Sequence, residues 1–220
     1  MARSSAKPAG RPRRVPGPAE VTGLVLCGGE SRRMGRDKAL IELGGRRLIE
    51  YPLEALRAVA GRVLISTGSS VRYADLGCEV VLDTHAGVGP LAGLLAGLEA
   101  ARTEWVAVLA CDMPRAVAPL MRELLAEALA SEADACLLEL ERGSQPLYAA
   151  YRRSCAASVR RALESGERRM VSFHDGLRIV GLDARKLGPD AALAAANVNT
   201  LADLALLTNG AQRARGPEAR

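Results

Sequence analysis

Apolar and polar residues come in blocks along this chain, and the blocks alternate between two periods. Residues 21–27 (VTGLVLC) form a short, mostly apolar run that stops at a pair of glycines, the pattern of a parallel strand buried on both faces. Residues 48–60 (LIEYPLEALRAVA) carry apolar positions at helical spacing, with Pro52 tolerable only in a first turn. Strand-like runs follow at 62–66 (RVLIS) and 79–82 (EVVL). Residues 90–102 (PLAGLLAGLEAAR) read as a helix opened by Pro90, which suits a first helical turn. The strongest strand signal is 105–111 (WVAVLAC), followed by a helix over roughly 117–130. Further strands are predicted at 134–140 (DACLLEL), 146–151 (PLYAAY) and 177–182 (LRIVGL), with helices over about 153–164 and near 200–208. Strands alternating with helices predict right-handed βαβ units, hence an α/β protein whose mostly parallel, Rossmann-like sheet has helices on both faces. In such a sheet a ligand sits outside the carboxyl ends of the strands, so the residues that leave each strand carry the functional information.

Length and charge narrow the picture further. The 220 residues fit one domain, and 49% hydrophobic with 25% charged residues exclude a disordered or collagen-like chain. The formal charge of +5 first suggests a polyanionic partner. Residues 1–20, however, hold Arg3, Lys7, Arg11, Arg13 and Arg14 against Glu20 alone, so residues 21–220 carry a net charge of only +1. The prolines, glycines and basic residues of 1–20 predict a disordered tail, 21–208 a single domain, and 209–220 a flexible C-terminal tail. A near-neutral body with one Trp, one Phe and four Tyr argues against a nucleic-acid-binding face. No apolar leader and no run of membrane-spanning length is present, which predicts a soluble, cytoplasmic protein with no membrane contact. The five cysteines, Cys27, Cys78, Cys111, Cys136 and Cys155, show neither a CxxC pair nor a zinc spacing and read as small buried hydrophobes in a reducing compartment.

Three segments leave strands with unusual chemistry. The first is CGGESRRMGRDK, residues 27–38. Gly28 and Gly29 permit close backbone approach to a ligand, Gly35 a tight turn, and Arg32, Arg33 and Lys38 surround the loop with the positive charge a polyphosphate requires. The spacing matches neither a Walker loop nor a GxGxxG fingerprint, and a surface turn with solvated charges stays open. The second is ACDMP, residues 110–114, where Asp112 could hold magnesium through a hard oxygen or simply shape a turn. The third is DTHAGVGPLAGL, residues 83–94, where Asp83 could read a base or ribose and His85 reads as a loop histidine.

With these residues in place, the chain resembles the molybdenum cofactor guanylyltransferase family. The run from Leu26 to Lys38 is similar to that family's LAGGxSRRMGxDK signature, residues 89–93 to its GPLAG turn, and residues 110–114 to its PCDTP. Residues 145–150 (QPLYAA), 165–173 (SGERRMVSF) and 197–204 (NVNTLADL) match later motifs in order, so the resemblance spans roughly 21–208. It implies a sheet of the nucleotide-diphospho-sugar transferase type and GMP transfer from GTP to the phosphate of molybdopterin, with pyrophosphate released. It further implies Mg²⁺ as cofactor, GTP and molybdopterin as substrates, and transient contact with cofactor-synthesis and molybdoenzyme-maturation proteins.

Carried over position by position, the resemblance assigns Leu26, Cys27, Gly28 and Gly29 to the nucleotide, together with Lys38 at the triphosphate, Ser66 and Asp83. Asp112 becomes the magnesium ligand and Arg33 the catalytic loop arginine, acting with Lys38. Arg168, Arg169, Asn197 and Asn199 fall on the pterin side. Two positions depart from the family pattern. Cys27 replaces the usual alanine, and Ser66 replaces an asparagine, which shortens one contact toward base or ribose. Retention of Gly28, where the related cytidylyltransferases have alanine, resembles the guanylyl group. A cytidylyltransferase on the same pterin, or an adaptor that binds nucleotide or pterin without turnover, are the alternatives. His174 and Asp175 in SFHDG either line the pterin pocket or form a turn.

Overall fold

The computed structural model describes residues 14–27, 37–83, 85, 87–198, 200, 203 and 205. The first strand, β1 (Val21–Leu26), is followed by a small hairpin, β2 (Glu42–Leu43) and β3 (Arg46–Arg47), and by helix α1 (Glu50–Arg57). Next come β4 (Arg62–Ser66), β5 (Glu79–Val81), α2 (Pro90–Ala100), β6 (Trp105–Ala110) and α3 (Ala118–Ala130). The chain continues through β7 (Ala135–Leu140), β8 (Gly143–Arg152), α4 (Ala156–Glu164), β9 (Ile179–Asp183) and α5 (Pro189–Ala194). The main sheet has the order β5-β4-β1-β6-β8-β7-β9. Every neighbouring pair in it is parallel except those made by β8, which runs against both β6 and β7. The expected α/β class and mostly parallel sheet are both present.

Alternation along the central strands divides the core into two layers. Val21 and Val25 of β1, with Trp105, Ala107 and Leu109 of β6, pack into the layer that contains the apolar faces of α1 and α3. Leu24 and Leu26, with Val106 and Val108, point the other way into the layer of α2 and α4. Both faces of β1 and β6 are therefore buried, which is why these strands are mostly apolar rather than alternating, with the buried Thr22 hydroxyl satisfied by Thr103 at 2.7 Å. Helix α2 is buried from Leu91 to Leu98 because the sheet covers one side and α4 lies against it. It comes unusually close to the sheet at two glycines one helical turn apart. A Cβ on Gly93 would stand 2.5 Å from Ser66 Oγ, and one on Gly97 would stand 2.2 Å from a terminal carbon of Leu24.

Several local features differ from the sequence expectation. The tail expected over 1–20 is shorter at its described end: Pro16 is buried, Pro18–Glu20 forms a 3-10 turn, and the Gly61 N–H donates to the Pro18 carbonyl at 2.6 Å. Residues 1–13 and 209–220 lie outside the described residues, as does most of the helix expected near 200–208. The β2–β3 hairpin was not anticipated. It turns through Gly44 and Gly45, whose φ values of 60° and 80° are those a tight two-residue hairpin requires. Helix α1 begins at Glu50 rather than at 48, because Leu48 and Ile49 are spent in the buried turn that enters it. α5 was not expected either. Substituting Gly97→Val drives two methyl groups into fully buried Leu24, and we expect the unfolding free energy to fall by about 2–3 kcal/mol, read from the midpoint of a urea denaturation curve.

Candidate active site

The site forms where the strand order reverses. From β1 the chain moves outward through β4 to β5, and α2 then carries it back across to β6 on the other side of β1. Backbone bonds hold the strand ends level there: the Cys27 N–H donates to the Ser66 carbonyl at 2.8 Å, and the Cys111 N–H donates to the Leu26 carbonyl at 3.1 Å. Such a reversal leaves a crevice at the carboxyl edge, the general ligand position in open α/β sheets.

Asp112 stands at this edge, one turn residue beyond β6. The segment around it is fixed by Met113, which is fully buried, and by the Tyr148 hydroxyl, which donates to the Val117 carbonyl at 3.0 Å. Only 14% of the Asp112 side chain is exposed, and burial pushes its carboxyl up from the ordinary aspartate range, with the Lys38 charge opposing that rise. Lys38 Nζ lies 3.6 Å from Asp112 Oδ2, while Oδ1 is buried without a hydrogen-bond partner among the described residues. A carboxylate oxygen in that condition suits a hard cation. Among the described residues there is no cluster of three or more His, Cys, Asp or Glu side chains that could hold a metal ion.

On the opposite flank, the fully buried Ser66 hydroxyl donates to Asp83 Oδ1 at 2.6 Å, and the Asp83 N–H donates to the Gly68 carbonyl at 2.8 Å. Burial pushes the Asp83 carboxyl up, and the Ser66 hydrogen bond and the Arg72 charge pull it back. Ser66, expected at the nucleotide, thus has its hydroxyl committed to orienting Asp83. The bare Cα of Gly93 makes the room for this contact, which gives the GPLAG segment a packing reason for its final glycine.

A third arrangement was not anticipated. Arg72 Nη1 donates to Asp37 Oδ2 at 2.9 Å, and Nη2 donates to the carbonyls of Cys27 at 3.1 Å and Thr67 at 2.8 Å. The Tyr73 hydroxyl donates to the same Asp37 oxygen at 2.5 Å. The other oxygen, Asp37 Oδ1, accepts the Ala39 N–H at 3.1 Å and so caps the 3-10 turn that begins at Lys38. Nothing in residue spacing singles out Arg72, because two of its three acceptors are backbone carbonyls.

The remaining expected residues fall into three groups. Leu26 is core, and Cys27 is buried; burial first, and the neighbouring Cys111 thiol second, push the Cys27 thiol well up. Asn197 is brought in by the Val198 N–H, which donates to the Asp112 carbonyl at 2.9 Å, and by Val198 itself, packed on Ile41 and Leu48. Its Oδ1 is a second buried oxygen without a partner among the described residues. Arg168 and Arg169 are both exposed. His174 lies in a turn, edge-on to Phe173 at 4.7 Å, with burial lowering its basicity. Gly28, Gly29, Arg32, Arg33, Gly35 and Asn199 lie outside the described residues.

Comparison with known proteins gives the family. The profile of the MobA-like NTP transferase domain matches residues 23–179. The chain is 35% identical over 188 residues to a probable molybdenum cofactor guanylyltransferase of Pelotomaculum thermopropionicum, covering 84% of this chain and 90% of that protein. It is 39% identical over 159 residues to the molybdenum cofactor guanylyltransferase of Serratia proteamaculans, covering 71% and 80% respectively. Among solved structures, the molybdopterin-guanine dinucleotide biosynthesis protein A of Archaeoglobus fulgidus superposes with a TM-score of 0.73 at 27% identity, covering 87% of this chain and 99% of that one. A sheet with its order reversal between β1 and β6, an acidic residue beyond β6 and these relatives along most of its length place the chain in the MobA-like NTP transferase family, and it is a nucleotidyltransferase.

Proposed function

We propose that this protein transfers GMP from GTP to the terminal phosphate of molybdopterin in the cytoplasm, with Mg²⁺ as its cofactor. A phosphate oxygen of the pterin forms a bond to the α-phosphorus of GTP. The bond from that phosphorus to the β-phosphate oxygen breaks, and pyrophosphate leaves with the electron pair. The product is molybdopterin guanine dinucleotide. The observation that carries this reading is Asp112 Oδ1, without a partner among the described residues and buried beside Lys38 at the carboxyl edge of β1 and β6.

The attacking phosphate is anionic at neutral pH, so no general base is needed, and the work left to the protein is orientation and charge compensation. Asp112 would hold Mg²⁺, and Asn197, whose neighbour Val198 donates its N–H to the Asp112 carbonyl, is the candidate for a second oxygen. The cation, when bound, supplies positive charge against the phosphate oxygens. Lys38 adds a second positive charge on the leaving-group side. Asp83, oriented by Ser66, offers a carboxylate to the N1–H and N2–H donors of guanine, a donor pair that neither adenine nor cytosine presents. Arg33, Gly28 and Gly29 belong to the triphosphate in this reading, and Arg168, Arg169 and Asn199 to the pterin. The near-neutral body of the chain favours small phosphorylated ligands over nucleic acid.

Incubation with Mg²⁺, molybdopterin and GTP, CTP or ATP in turn should yield pyrophosphate and a dinucleotide with GTP, and much less with the other two. Absence of pyrophosphate with every nucleotide would leave the binding-adaptor alternative. We expect Asp112→Ala to lose at least about 100-fold in turnover while remaining folded, as removal of a single charge-stabilising group at a transition state does. Lys38→Ala should raise the GTP concentration needed for half-maximal rate as well as lower the rate; unchanged kinetics would remove its triphosphate role.

The raised carboxyl of Asp112 also has a consequence for stability. Its native form holds a proton more tightly than the unfolded chain does, so above the native pKa its ionisation costs stability, and below the unfolded value near 3.8 that cost disappears. Asp112→Asn should therefore melt higher than the wild type in the ligand-free state at neutral pH, with the gap narrowing as pH falls toward about 4. Thermal unfolding followed by circular dichroism across that range tests this, and a wild type more stable than the variant at pH 7 would contradict it.

A further inference from the structure

Arg72 has no part in the chemistry above, yet it lies where three loops meet. We propose that Arg72 is a positioning residue for the transfer reaction: its guanidinium fastens the Asp37–Lys38 segment to the carboxyl ends of β1 and β4, and thereby sets where the Lys38 ammonium stands relative to Asp112. This rests on the nucleotidyl-transfer reading of the site.

The three acceptors of Arg72 belong to three chain segments: Cys27 and Thr67 leave the paired strands β1 and β4, and Asp37 stands at the head of the 3-10 turn that carries Lys38. Cys27 O and Thr67 O follow β1 and β4, where the ladder ends and backbone carbonyls need new partners. Asp37 is the charged member, and its two oxygens divide the work. Oδ2 takes Arg72 and Tyr73, while Oδ1 takes the Ala39 N–H and holds the turn that carries Lys38. Lys38 Nζ then reaches to 3.6 Å from Asp112 Oδ2. The path from the strand ends to the catalytic cation is thus Arg72, Asp37, the 3-10 turn and Lys38, with a contact at each step. Tyr73 sits at φ 61°, in the left-handed region that an aromatic side chain rarely adopts. The guanidinium lies 5.2 Å from the Tyr73 ring centroid, so its ring and its hydroxyl both close on the same pair. Backbone held against its preference in this way marks a place the surroundings over-determine.

Arginine is specifically suited to the task. Its planar fork presents several donors in fixed directions, whereas a lysine offers one point charge that cannot serve a carboxylate and two separate carbonyls together. The positive charge of Arg72 also pulls down the Asp83 carboxyl, so the same residue favours the ionised form of the group proposed to read the base.

The test uses the full chain with Arg72→Met, Arg72→Lys, Asp37→Asn and the Arg72→Met/Asp37→Asn double variant. Hydrogen exchange on the ligand-free protein should speed up by about tenfold or more in residues 37–41 of Arg72→Met and stay unchanged in α2 and β6. At saturating GTP and molybdopterin, kcat per folded molecule should fall by about 10- to 100-fold, the effect of misplacing a catalytic group by roughly an ångström. Arg72→Lys should recover less than about threefold of that loss. Asp37→Asn should lower kcat similarly, and the double variant should be little worse than either single one. Unchanged exchange in 37–41, a normal kcat accompanied only by a lower melting temperature, full recovery by Arg72→Lys, or additive losses in the double variant would each overturn the proposal. A wild type that makes no pyrophosphate overturns the reaction itself, whereas the exchange measurement fails only if the clamp is absent.

Discussion

A negative charge buried at the end of β6 is the constraint around which this protein is organised. Asp112 is placed where burial disfavours its ionised form, with one oxygen 3.6 Å from an ammonium and the other without a partner among the described residues. Removing an isolated charge from water is expensive, and one ion pair at that separation offsets only part of the cost. A fold keeps such a group only if its surroundings are rigid enough to prevent the side chain from turning outward. Here the rigidity has identifiable sources: Met113 in the core behind it, Tyr148 bonded to the chain just beyond, and the Val198 amide fastened to its own carbonyl. The deficit at Asp112 is then available to whatever positive charge arrives with the nucleotide.

The two flanks of the crevice are built by different means. On the Asp83 side the means is close approach, because Gly93 and Gly97 let α2 press on the sheet, and the bare Gly93 leaves the space in which the Ser66 hydroxyl meets Asp83. On the Lys38 side the means is charge, with Asp37 collecting Arg72, Tyr73 and a backbone amide into one junction. Packing of the first kind is permanent once the core forms. Polar junctions of the second kind depend on the whole set of partners being present together.

Much of the scaffold was legible in the sequence because it is repetitive physics. β4 was read at its observed boundaries, 62–66, and the strands and helices from β5 through α4 were read to within a few residues at each end. The legible elements are those buried on one stripe or on both faces, since burial writes itself into apolar periodicity. Direction is not written there, so QPLYAAY could be recognised as strand without any sign that β8 runs against its neighbours. The hairpin at 42–47 has two residues per strand and leaves no period to detect. Within the site, Asp83, Asp112 and Lys38 announce themselves as charges beside strand ends. The commitment of Ser66 to Asp83 and the clamp of Arg72 on two carbonyls depend on contacts between segments far apart in sequence, and one residue's identity does not reveal them.

The reversed strand β8 has an implication for how the chain is made. It inserts between β6 and β7, so the six-residue edge of β6 (WVAVLA) has no partner on that side until the chain through Arg152 has been synthesised. For that interval the nascent protein displays an apolar, unpaired strand edge of the kind that joins to other chains. The quick hairpin from β7 into β8, separated by only Glu141 and Arg142, shortens the exposure, since the covering strand follows its own neighbour almost at once. Pairing of that edge thus waits for the chain to extend through Arg152, and the local turn completes it quickly on the timescale of synthesis.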